Sequence, residues 1–232
     1  KCNFKESLSS KKELVFLLIT AILITINWGG YIFAVNLGRV VEASMGYFLS
    51  PVINMIGGYI FFNERISKLK QLAVFFATFG ALYYVFSGDS FPWLGLLVRF
   101  TFSAYGIARK AMASSAVPGL YIETLILLPF FLIFIVWFYS NYDVAFLNVG
   151  VSTNILLILA GAVTVIPLAL FNAGTKLLPL TTVGILFLIT PTIQFLVGYI
   201  LQNEAVNSNQ LIGFVGVWAG LVIYSYALIK DK

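Results

Sequence analysis

The run Glu42-Ala43-Ser44-Met45-Gly46-Tyr47-Phe48-Leu49-Ser50-Pro51, with the apolar stretch to Phe62 behind it, decides how this sequence folds. On a helix, Tyr47, Pro51, Asn54 and Gly58 fall at i, i+4, i+7 and i+11, so they share one face. Adding 140 to each number returns Phe187, Pro191, Gln194 and Gly198. Each stripe carries a mid-helix proline, an amide one turn later and a glycine beyond. Both stripes sit near the middle of a long apolar run, and we read them as two halves of one pathway through a membrane.

Composition requires that solvent. Of the 232 residues, 60% are hydrophobic and 10% charged, and the mean hydropathy is +0.98. A water-soluble domain of this length cannot hide so much apolar surface, whereas a bilayer needs no hiding. The chain has no histidine and a single cysteine, Cys2, which excludes an internal disulfide, a histidine-based metal site and a Cys/His nucleophile pair. No metal and no cofactor is expected. Spans are placed at 14–36, 43–62, 69–87, 92–109, 119–139, 154–175, 181–202 and 210–229, each a match to roughly 30 Å of hydrocarbon, the fourth barely. The runs lack period-2 alternation, so the fold class is all-α, a polytopic membrane helix bundle.

Charge sets the orientation. Lys1, Lys5, Lys11, Lys12, Arg65, Lys68, Lys70, Arg109, Lys110, Lys176, Lys230 and Lys232 gather on one side and Arg39 alone on the other, with Arg99 inside a span. This positive-inside bias puts both ends of the chain in the cytoplasm and accounts for the net charge of +5 without nucleic acid.

The repeat extends beyond the stripes. Gly58-Tyr59-Ile60 answers to Gly198-Tyr199-Ile200, Asn63-Glu64 to Asn203-Glu204, Gly80 to Gly220 and, at an offset of 138, Gly46 to Gly184. The first three spans thus correspond to the sixth, seventh and eighth. An odd separation of five spans makes the copies run in opposite directions, the inverted-repeat plan of many secondary transporters. Residues 1–91 then form a first unit of three spans and residues 92–232 a complete second unit of five. Ten spans are expected for the full plan, with two more before Lys1.

These residues resemble the RarD-type permeases of the drug/metabolite transporter (EamA-like) superfamily along essentially the whole chain. The resemblance is carried by Asn27-Trp28, Tyr31 and Ala34-Val35-Asn36, by Glu42 to Phe48 with Pro51, and by Glu64-Arg65, Pro92-Trp93 and Tyr105-Gly106 with Arg109-Lys110. Glu123-Thr124, Pro129, Leu178-Pro179-Leu180, Gly184, Pro191-Thr192, Gln194-Phe195 and Glu204 agree as well. The chain departs from the family pattern at Ser50 and Asn63, where asparagine and glycine are usual, at Phe187-Leu188 in place of Gln-Tyr, and at Arg99 in place of a small apolar residue. The resemblance implies a ten-helix permease of the bacterial cell membrane. It implies export of a small metabolite or drug-like solute, with alternating access between the repeats.

Substrate-binding candidates are Asn27, Trp28, Tyr31, Tyr47, Asn54, Glu123, Asn172, Phe187 and Gln194; kink or gating candidates are Pro51, Pro191, Glu42 and Arg99. Each has a plainer reading. The prolines kink helices, the amides and Tyr31 bond neighbouring helices, and the aromatics pack. A matched proline pair, each with an amide on its face, favours cavity lining, because a freed carbonyl in a bilayer must be buried or face water. Glu123 lies about 6 Å inside the cytoplasmic edge and Arg99 about 10 Å inside the outer one, too far apart in depth to pair. Arg99 is expected to snorkel outward towards Glu42 or Asp89. No clustered acids or nucleotide-binding glycine loop suggests an enzyme. The partners expected are a small-molecule substrate and the lipid bilayer, with a homodimer left open. A non-transporting assembly or regulatory partner, or an inactive truncated transporter, is the alternative.

Overall fold

The structure, a computed structural model, describes residues 10–37, 46–87, 92–193 and 208–230. Its helices are α1 (Lys11–Asn36), α2 (Ser50–Phe62), α3 (Lys68–Phe86), α4 (Trp93–Ala111), α5 (Ala116–Asn141), α6 (Val151–Leu177), α7 (Leu180–Leu186) and α8 (Ser208–Lys230), with a 3-10 turn over Gly46–Leu49. Among the described residues there is no strand. Helices α1, α5, α6 and the Leu211–Lys230 part of α8 are long and apolar enough to cross a membrane, while Gly46–Phe62 and Leu180–Ile193 are shorter apolar helices.

The helix ends follow from local chemistry. Ser67 and Ser115 hold extended backbone just before α3 and α5, the conformation that starts a helix. Asn63 closes α2 in the left-handed region at φ 51°, where the amide of Glu64 donates to the Gly58 carbonyl at 3.0 Å. Asparagine tolerates that conformation better than other side-chain-bearing residues, which explains how it stands where glycine is usual.

The chain divides into two compact units, residues 1–22 with 108–177 and residues 23–107 with 178–232. The first is built on α5 and α6 with the start of α1. A small cluster of Leu17, Met112 and Ile122 is its apolar core. Phe130, Ile133, Leu156 and Val163 are each about two-thirds exposed on the protein. In water that surface would be untenable; in hydrocarbon it is ordinary.

The second unit packs around α3 and α8. Ala73, Ala77 and Ala81 of α3 and Phe214, Val217 and Tyr224 of α8 share its core with Phe48, Ile185 and Leu188. A Cβ on Gly80 would stand 2.5 Å from the Gly213 carbonyl oxygen and 2.9 Å from the Gly216 Cα, and one on Gly220 would stand 2.7 Å from the Ala73 oxygen and the Ala77 Cβ. Small residues let the two backbones touch, the usual basis of helix association in lipid. Gly80 meets 213, 216 and 217 whereas Gly220 meets 73 and 77, so ascending one helix descends the other. The pair is antiparallel. Helices α2 and α7 are antiparallel too: Gly184 lies against Ser50, Pro51 and Asn54, while the Leu180 amide reaches back to the Glu64 carboxylate at 2.9 and 3.1 Å.

Pro51 does not kink the middle of a helix as expected. It occupies the first turn of α2, because Gly46–Leu49 winds as 3-10 before it. A proline there removes no intrahelical donor.

Candidate functional site: an aromatic recess around Arg99

Tyr47 and Pro51 flank the 3-10 to α transition. At that join the Ser50 hydroxyl donates to the Tyr47 carbonyl. In the corresponding stretch α7 stops at Leu186, and helix resumes over residues 189–193. The break falls at Phe187-Leu188, just before Pro191; the Phe187 carbonyl accepts from the Thr190 amide at 3.3 Å. Both stripes are thus interrupted at matching places, and their aromatics meet: the Tyr47 and Phe187 rings are 6.3 Å apart.

Between them lies Arg99. Its side chain is 2% exposed, with the guanidinium carbon 4.5 Å from the Phe187 ring centre, 5.7 Å from that of Phe102 and 5.9 Å from that of Tyr47. Phe102 meets Phe187 edge-on at 5.5 Å. Tyr47, Val98, Arg99 and Phe102 line a narrow recess. Nε and Nη1 of Arg99 are buried and make no hydrogen bond among the described residues. Arg99 thus points into a ring of aromatics. Glu42 and Asp89, the acids named for it, lie outside the described residues, as does Gln194.

Asn54 is 3% exposed, and Gly184 admits α7 close to it. Asn27 donates to the Val98 carbonyl and, at 3.2 Å, to the Thr101 hydroxyl of α4, so its amide nitrogen is committed to a helix contact. Trp28 is 38% exposed, and Tyr31 packs with Ala34 and Leu94. A larger recess of about 740 Å³ opens along Met55, Tyr59, Glu64, Arg65 and Gln71.

Glu123 and Asn172 belong to the other unit, and both are buried. Glu123 pairs with Arg109 at 3.3 Å, and the same guanidinium donates to the Ala116 carbonyl at 2.8 Å. Around the loop that follows, the Glu13 carboxylate accepts from the amides of Ala113 (2.7 Å) and Ser114 (3.3 Å). Lys176 donates to the carbonyls of Met112, at 3.0 Å, and Ser114. Two acids and two bases thus hold one turn. Arg109, Glu13 and Lys176 were not among the site candidates of sequence reading, which counted Arg109 and Lys176 among cytoplasmic cations and Arg109 in a motif of the resemblance. Gly119, where a Cβ would run into the Arg109 guanidinium, was the available signal. Among the described residues no group of His, Cys, Asp and Glu could hold a metal.

Comparison with known proteins bears on what this arrangement serves. The model of the EamA-like transporter family matches residues 3–86. The uncharacterized transporter YojE of Bacillus subtilis is 36% identical over all of this chain and 78% of its own length. RarD of Salmonella typhi is 36% identical over 95% of this chain and 75% of its own length. RarD of Escherichia coli is 35% identical over 95% and 74% respectively.

Proposed function

The chain belongs to the EamA-like transporter family, among its RarD-type permeases, and on that premise we propose that it moves a small amphipathic metabolite or drug-like solute out of the cell by alternating access. It is a multi-pass membrane protein, and a transporter family gives no ground for assigning it a chemical reaction. In this reading the eight spans placed from the sequence cross the bacterial plasma membrane, with both ends of the chain in the cytoplasm. Residues 1–91 and 92–232 belong to two inverted repeats.

The observation that carries the reading is the pairing of corresponding helices. Positions matched by the 140-residue offset, Gly80 with Gly220, sit in one antiparallel contact between α3 and α8. Tyr47 and Phe187, matched by the same offset, bring their rings together between the 3-10 turn before α2 and the break after α7. Inverted copies that meet along a pseudo-twofold axis place their broken helices face to face, and such breaks supply polar backbone at a midplane site. Tyr47, Phe187, Asn54 and Gln194 line the route; Pro51 and Pro191 fix where each helix restarts. Glu123, held by Arg109, locks the turn at the cytoplasmic edge, and Glu42 acts at the opposite edge.

Reconstitution into proteoliposomes tests this. A mixture of small metabolites is loaded on one side, and its redistribution is followed by mass spectrometry. The expected result is relocation of at least one solute without chemical change, reduced about tenfold or more by Asn54→Ala with Gln194→Ala. No relocation of any solute, or a chemically altered product, contradicts the proposal. Undiminished transport in the double variant removes these two amides from the site.

A further inference from the structure

We infer that Arg99 and the rings of Tyr47, Phe102 and Phe187 form the head-group site for an organic anion, an aromatic or otherwise amphipathic carboxylate. The inference rests on the transporter reading and adds the substrate's charge to it. Arginine is a costly residue inside a bilayer and persists there where something answers its charge. Here the guanidinium is 2% exposed. Among the described residues no acid, carbonyl or hydroxyl bonds it, and two of its buried nitrogens have no acceptor. Three aromatic faces within 6 Å supply cation–π attraction, yet a ring face satisfies no N–H donor in the plane of the guanidinium. That plane is a fork matched to a carboxylate.

The surroundings fit the rest of such a ligand. Tyr47 and Phe187 are half-buried and can flank a planar apolar body, while Val98 closes one wall. The recess is too narrow for a water molecule in this conformation, so a carboxylate must part the rings to enter. Entry of the head group would be linked in that way to the helix breaks at Ser50 and Phe187, which carry two of the three rings. A dry pocket also makes the charge count for more, since no water screens it.

Three solutes differing in head group alone decide the matter: phenylacetate, phenylacetamide and phenethylamine, each radiolabelled and bound to the purified full chain by equilibrium dialysis. The expected order is phenylacetate ahead of the amide by about tenfold, with the amine weakest. Arg99→Gln abolishes the preference of acid over amide, and Arg99→Lys retains part of it. Equal binding of acid and amide by the unmodified protein overturns the inference, as does a preference that survives Arg99→Gln. A preference that emerges only in Glu42→Gln or Asp89→Asn overturns it as well, because an acid of this chain would then be Arg99's partner. Should Arg99→Gln fail to fold, the head-group order of the unmodified chain and of Arg99→Lys still decides. Transport of neutral or cationic solutes without preference for anions refutes this inference while leaving the permease reading standing; transport of nothing refutes the latter.

Discussion

Glu123 and Arg109 show how far single residues can be read from a sequence. An acid within an apolar span marks itself as functional or paired, and Glu123 was legible for that reason. Its partner was not, because Arg109-Lys110 has the look of any cytoplasmic flank. The turn at 112–115 had to fold before Arg109 could be brought within 3.3 Å of Glu123. The aromatic surroundings of Arg99 were not legible for a related reason: depth along a helix can be counted, but the neighbours a side chain meets include Phe187, 88 residues onward in the chain. Both members of the Arg109–Glu123 pair are almost completely buried, so removing one leaves an uncompensated charge. Glu123→Gln and Arg109→Gln are each expected to destabilise the protein by about 3–5 kcal/mol. The double variant should lose clearly less than the two together. Thermal unfolding of the detergent-solubilised proteins measures this, and strict additivity would mean that the contact contributes nothing.

For the elements, hydropathy located seven of the eight helices to within a few residues, while the seventh span, placed at 181–202, is broken at Phe187-Leu188 and its end lies outside the described residues. The offset of 140 is the basis for proposing which helices correspond. The start of α2 was a second exception. Apolar periodicity runs unbroken through Gly46–Phe62 and gives no hint that the first turn is 3-10, which moves Pro51 from mid-helix to the first α-turn. The contact between α3 and α8 is made by glycine and alanine, residues whose role depends on what faces them. A Cβ at Gly80 would lie 2.5–2.9 Å from backbone atoms of Gly213, Val217 and Gly216, which cannot swing aside, whereas one at Gly29 meets nothing within 4 Å. Gly80→Leu is therefore expected to abolish the monodisperse peak in size-exclusion chromatography or to lower the unfolding temperature by many degrees. Gly29→Ala should leave both unchanged. Equal tolerance at the two positions would show that α3 and α8 do not pack at this distance.

At the scale of the whole molecule, composition was enough to require a bilayer, and the proposed inversion rests on the parity of the proposed span count. The sequence could not say which helices touch. That α2 lies against α7 and α3 against α8 comes from side-chain size at Gly184, Gly80 and Gly220 and from the Glu64 carboxylate capping the start of α7. The proposed solute route exists only if these antiparallel pairs belong to repeats of opposite orientation. Leu37 and Leu178 follow corresponding first and sixth spans, and both are at least 38% exposed, so cysteines there would be reachable by a reagent. With Cys2, the single native cysteine, replaced by serine, Leu37→Cys and Leu178→Cys are to be labelled in intact cells with a membrane-impermeant maleimide. The account predicts that position 37 reacts from outside and that position 178 reacts only after the membrane is opened. Labelling of both positions from the same side would contradict it.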